Sequence, residues 1–259
     1  MNGSHQPPKR LLFAITLVFA LPVFSPAQVT VLTSGGFLAA YQELLPQFEK
    51  STGITVTTKR GASQGDGPTT IRAQLRNGLP ADAVIMSREG LAELFAEDRI
   101  TLGSDVDLAR VPLAVGVRAG TTRPDISTVN AFKQTLLRAK SIGIQSTSAI
   151  YLKTRVFPQL GIAGALADKL SDAGAAEVAS GGVEMVVLPV SEILPVRGVD
   201  FVGTIPADIQ FVQVFAAAVV KGAKNPEASK RLIEFLASEK ATPTVEKMGM
   251  KRPGLEARK

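Results

Sequence analysis

The chain has 259 residues, 45% hydrophobic and 20% charged, with a formal net charge of +6. That length and balance describe an ordinary globular protein with ample core, and the scattered positive charge, with no basic block, argues against nucleic-acid binding while suiting attraction of small anions. Cysteine is absent and the single histidine is His5, in a segment expected to be removed, which excludes disulfides, a lipid-modified cysteine, Ser-His-Asp and Cys-His catalysis, and His/Cys metal sites.

That segment reads as an export signal. Lys9-Arg10 is a basic start, residues 11–23 are apolar, and Ser25-Pro26-Ala27 has small residues suited to cleavage. An apolar run of about 13 residues is too short to span a bilayer comfortably. Cleavage after Ala27 would release the protein into the periplasm.

The mature chain then alternates strands and helices. Val29 and Val31 open a strand, and Phe37, Tyr41, Leu44, Leu45 and Phe48 recur at helical spacing, with Pro46 expected to kink the helix and Gly53 to end it. Residues 54–59 (ITVTTK) read as a second strand, 69–77 as a helix carrying Arg72 and Arg76 side by side, 83–86 as a buried strand, and 89–97 as a helix. Strand 111–117 is followed by helix 128–140 with Ser127 as its cap, strand 141–145 and helix 150–160. Strands 183–190 and 211–220 are apolar, Ser191-Glu192-Ile193-Leu194-Pro195 reads as a turn or short helix, and Asn225-Pro226 opens a last helix. This alternation predicts mainly parallel sheets covered by helices, an α/β fold.

One unit recurs: a strand, a turn of small hydroxyl residues, then a helix. It occurs at Thr33-Ser34-Gly35-Gly36, at Gly61-Ala62-Ser63, and at Ser146-Thr147-Ser148. Each turn has an ordinary reading, in which a hydroxyl caps the helix and glycine turns the chain. Together they offer free N–H groups and hydroxyls suited to holding an anion.

These residues resemble the periplasmic molybdate-binding proteins of ABC transporters, within the type 2 periplasmic solute-binding proteins. The resemblance is carried by VTVLTSGGF, FEKSTGITV, the GAS turn, IRAQLRNGLPADAVIMS and YLKTRVFPQLGI. It implies two α/β lobes joined by two crossing strands, with a signal peptide at 1–27, lobe one at 28–111 plus 212–259, and lobe two at 112–211. It also implies a monomer without metal or cofactor that closes on a small anion and delivers it to a membrane permease. Carried over, the ligand contacts fall on Thr33, Ser34, Gly35, Ala62, Ser63, Ser146, Thr147, Ser148 and Leu188. Two departures point to a remodelled pocket for another anion: Leu188-Pro189 stands where a tyrosine is usual, and the third turn lacks the usual Asp-Pro and glycine-rich stretch.

The pieces VDLARV, AGTTRPDISTVNAFKQTLL and SEILPVRGV are similar to a branch of the family that includes aconitate isomerases. That branch carries histidine and glutamine before the SEIL segment, where Leu188-Pro189-Val190 stands here. The alternative function is therefore cis–trans isomerisation of an unsaturated tricarboxylic acid. An allylic proton shift needs a base, for which Asp66, Tyr151 and Glu192 are the candidates, each with an ordinary structural role as well. A polycarboxylate would also favour an arginine near the cleft, with Arg60, Arg72 and Arg155 closest to the turns.

Overall fold

The computed structural model describes residues 28–254, so the expected signal peptide lies outside the described residues. The chain begins with β1 (Gln28–Thr33), α1 (Gly35–Thr52), β2 (Thr55–Arg60), α2 (Ile71–Arg76), β3 (Ala83–Ser87) and α3 (Arg88–Ala96). Strand β4 (Val106–Arg118) leads to α4 (Val129–Arg138), β5 (Ile142–Gly143) and α5 (Ser146–Tyr151). A π-helical turn at Leu152–Val156 joins α5 to α6 (Phe157–Gln159), followed by α7 (Ala163–Leu166), β6 (Leu170–Ser171) and α8 (Ala175–Ser180). The chain then forms β7 (Met185–Pro189), α9 (Val190–Ile193), β8 (Val199–Thr204), β9 (Val212–Val219), α10 (Pro226–Ala237) and α11 (Thr242–Lys247).

The strands pair in the order β2-β1-β3-β9-β4-β7-β5-β6, with β8 beside β4. Strand β4 belongs to both lobes. Its first half, Val106 to Pro112, pairs with β9, and its second half pairs with β7 and β8. Strands β1, β2 and β3 run parallel, as do β5, β6 and β7, while β4 and β9 run antiparallel to their neighbours. This is the two-lobed α/β fold that the resemblance implies, with helix-covered sheets that are parallel within each lobe and antiparallel where β4 and β9 join them.

The period of two along each strand assigns the cores. Val29, Val31, Ile85, Phe215, Ala217 and Val219 face a core closed by Phe37, Tyr41, Leu44 and Phe48 of α1 with Leu232 and Leu236 of α10. Leu32, Val84, Met86, Ala216 and Ala218 face the opposite side, covered by Ile71 and Leu75 of α2 and by Leu91 and Leu94 of α3. In the second lobe Leu113, Val115, Val117, Met185 and Val187 pack beneath Phe132, Leu136, Leu152 and Phe157. Each fully buried large side chain contributes about 1.5–3 kcal/mol.

Several elements depart from the sequence reading. The fifth helical stretch starts at Ser146 rather than at residue 150 and contains a π turn. Thr128, not Ser127, caps α4, accepting from Ala131 N at 3.1 Å. The strand expected over 141–145 shrinks to two residues. Strand β8 and helices α8 and α11 carry no strong periodic signal and were not anticipated. Helix α1 continues through Pro46, which lies on the exposed face, where water can satisfy the carbonyl freed by its missing N–H.

Beyond α11 the chain is held by Arg252, 8% exposed, which donates to Leu108 O at 2.7 Å, Leu236 O at 3.1 Å and Ala237 O. Replacing Arg252 with alanine strands these carbonyls, and thermal denaturation should show a loss of about 2–4 kcal/mol.

Candidate functional site

Parallel strands deliver their carboxyl ends to one place. At the carboxyl ends of β1, β2, β3, β5 and β7 lie Ser34, the loop from Gly61 to Thr70, Ser87, the Gln145–Ser146 junction and α9, and each contributes to the border of a cleft of about 730 Å³. This is the region where open α/β sheets place ligands.

Ser34 occupies the N-cap position of α1 with extended backbone, yet its hydroxyl makes no capping hydrogen bond. Its N–H is used by Ile85 O at 2.9 Å, while Oγ is buried without a partner. The ordinary capping reading therefore fails for this hydroxyl. Beyond it the first turn of an 18-residue helix leaves backbone N–H groups without partners inside the helix, at the positive end of the helix dipole.

Ser63 is held by a different device. Its Oγ accepts from Ser87 N at 2.9 Å, leaving the hydroxyl proton available. Its carbonyl lies so close to Gly90 that a Cβ there would collide with it. Ser87 caps α3, accepting from Gly90 N at 3.2 Å, and its hydroxyl meets Thr147 Oγ1 at 2.9 Å. A second bridge runs from Gln64 N to Ser146 Oγ at 3.1 Å. The two walls of the cleft are thus joined directly. Ser146 adopts φ 50°, a left-handed conformation uncommon for a non-glycine residue, at the point where it meets the opposite wall. Ser148, 2% exposed, lines the cleft beside it.

Ser34, Gly35, Ala62, Ser63, Ser146, Thr147 and Ser148 therefore share one cavity, and Asp66 and Glu192 border it too. Three singled-out residues lie elsewhere. Thr33 is fully buried and donates to Ser34 O at 3.3 Å. Leu188, on β7 opposite Ala114, points into the core, because alternation along the strand sends it to the apolar side. Tyr151 stacks on Phe211 with ring centroids 4.6 Å apart and donates to Ile209 O at 3.3 Å.

The charges are equally specific. Glu192, on α9, packs its carboxylate against Gly35, where a Cβ would lie 2.5 Å from Oε2. The carboxylate has no hydrogen-bond or ion-pair partner among the described residues. Burial pushes it up to about 7, against the lowering pull of the Arg60 guanidinium. Asp66 sits exposed at the rim. Of the three arginines nearest the turns, Arg60 borders the cleft, Arg72 is committed to Glu93 at 3.0 Å, and Arg155 lies outside. Arg76 is paired with Glu97.

Residues the sequence reading did not select complete the wall: Ser87, Lys153, Gln213 and Phe215. Ser87 is a fourth strand–hydroxyl–helix junction and was readable as such. Lys153 is brought in by the π turn, which periodicity does not announce.

The match to bacterial extracellular solute-binding proteins spans residues 29–251. An aconitate isomerase of Pseudomonas sp. is 35% identical over 246 residues, 93% of each chain. The molybdate-binding protein ModA of Azotobacter vinelandii is 24% identical over 258 residues, covering 93% of this chain and 96% of that protein. The solved structure of the A. vinelandii periplasmic molybdate-binding protein superposes with a TM-score of 0.70 at 22% identity, over 87% of this chain and 99% of that one. With nearly the whole described chain matched, this protein belongs to the family of bacterial extracellular solute-binding proteins.

Proposed function

We propose that the cleft captures a small organic carboxylate in the periplasm and that the protein, as a monomer, delivers it to the membrane permease of an ABC transporter. The observation that carries this reading is the buried Ser34 hydroxyl, left without a partner at the amino end of α1 among the hydroxyls of the other turns. A buried polar atom without a hydrogen bond costs about 1–3 kcal/mol, and a ligand oxygen removes that cost. The cleft volume of about 730 Å³ falls in the range that holds an organic molecule. Arg60 and Lys153 at its border supply the positive charge a carboxylate needs. The position where the molybdate-binding family carries a tyrosine is taken by Leu188, which is sequestered in the core.

Thermal-shift screening of residues 28–259 against aconitates, citrate, molybdate, tungstate, sulfate and phosphate tests the reading. A ligand that binds only the folded state raises Tm with its concentration over Kd. The organic acids should produce the shift; a shift confined to the inorganic oxyanions would overturn it.

A second reading, isomerisation of an unsaturated tricarboxylate, is favoured by Glu192. Of the three candidate bases it alone both borders the cleft and is half-buried, with its carboxyl pushed up by desolvation to about 7, the range suited to proton transfer. Its carboxylate would take a proton from the methylene carbon as the double bond shifts, then return it to the former vinyl carbon. No co-reactant is consumed. NMR of cis-aconitate incubated with the protein distinguishes the two: a transport protein returns it unchanged.

A further inference from the structure

We infer that Gln213 is a direct ligand contact and that it selects molecules with a second polar end, di- or tricarboxylates over single-centred anions. The inference rests on the carboxylate reading of the cleft and adds a residue and a selection rule to it. Gln213 is the sole polar residue in β9, Val212–Val219, and sits opposite Val111 of β4, next to the point where β4 passes from pairing with β9 to pairing with β7. It is 2% exposed and borders the cleft. Its Oε1 is buried without a hydrogen bond, and its Nε2 has no partner among the described residues.

Gln210, three residues earlier, shows what a structural glutamine does in this chain. Its amide accepts from Leu113 N at 2.7 Å and donates to Leu113 O at 3.0 Å and Ile205 O at 3.1 Å. Gln213 makes none of these bonds, although an apolar side chain would suit its strand better. Phe215 lies on the same face of β9, and its ring fills the space over Gly36, so a Cβ at Gly36 would collide with it. The same face of β9 therefore contacts the first turn of α1, whose N–H groups and Ser34 hydroxyl suit one carboxylate. The Gln213 amide remains for a second group on the same molecule. A side-chain amide can donate to a carboxylate oxygen and accept from a carboxylic acid or hydroxyl. A small tetrahedral oxyanion bound at Ser34 has no second end to offer it.

The test compares wild type, Gln213→Leu and the near-isosteric Gln213→Met by thermal shift and calorimetry, with tricarballylate and molybdate as probes. Both variants should melt at or above the wild-type temperature without ligand, since an unsatisfied amide has been removed. Both should lose tenfold or more in tricarballylate affinity. Undiminished tricarballylate binding in both variants overturns the inference while leaving the carboxylate reading intact. A large drop in their ligand-free Tm overturns it too, by making the amide structural. Wild-type protein that binds molybdate but not tricarballylate overturns the carboxylate reading itself.

Discussion

Ser34→Ala is expected to weaken carboxylate binding by roughly ten- to a hundredfold while leaving the ligand-free protein as stable as wild type or slightly more so. Its hydroxyl caps nothing and has no partner, so removing it forfeits no native hydrogen bond. A charge-assisted bond to a ligand oxygen contributes about 1.5–3 kcal/mol, and 1.4 kcal/mol is a factor of ten. Ser63→Ala makes an informative contrast. Its Oγ accepts from Ser87 N, so that substitution should reduce both affinity and Tm. Titration calorimetry paired with thermal melts reads both effects. Equal stability losses in the two variants would contradict the assignment of Ser34 as a ligand group.

Glu192→Gln should raise stability at pH 8 and change it little at pH 4. The native carboxyl titrates near 7, against an ordinary value of 4.5. Between those values the folded state binds more protons than the unfolded state, so wild-type stability falls as pH rises through that window. The amide does not ionise and escapes this loss, which amounts to at most about 3 kcal/mol. Melts at pH 4, 6 and 8 should therefore show the Tm difference between variant and wild type widening with pH. On the isomerase reading the same substitution abolishes turnover while retaining binding. A difference independent of pH would show that Glu192 is not held protonated by its surroundings.

The parts of the fold legible in the sequence are those where one periodicity governs one element. Val29 and Val31 followed by Phe37, Tyr41, Leu44 and Phe48 announce β1 and α1 because alternation gives way to a helical face. Strand β8 is partly buried along most of its length, so no alternation marks it. The hydroxyl turns were legible because each is a local unit. Their convergence on one cavity depends on the parallel strand order, which no single turn encodes.

The failures follow the same logic. Leu188 came from a family position, but alternation along β7 directs it to the core. Tyr151 looked available beside the third turn, yet Phe211, distant in sequence, takes its ring. Gln213 was visible as a lone polar residue in an apolar strand. Its meaning emerges only when it is seen beside the point where β4 changes partners, with its Oε1 unpaired.

The most direct measurement is a crystal structure of the protein with tricarballylate bound. The account predicts one molecule in the cleft, with one carboxylate at Ser34 and the first turn of α1 and another within hydrogen-bonding distance of Gln213. A ligand bound elsewhere, or in the cleft with Ser34 Oγ still unpartnered, would contradict it.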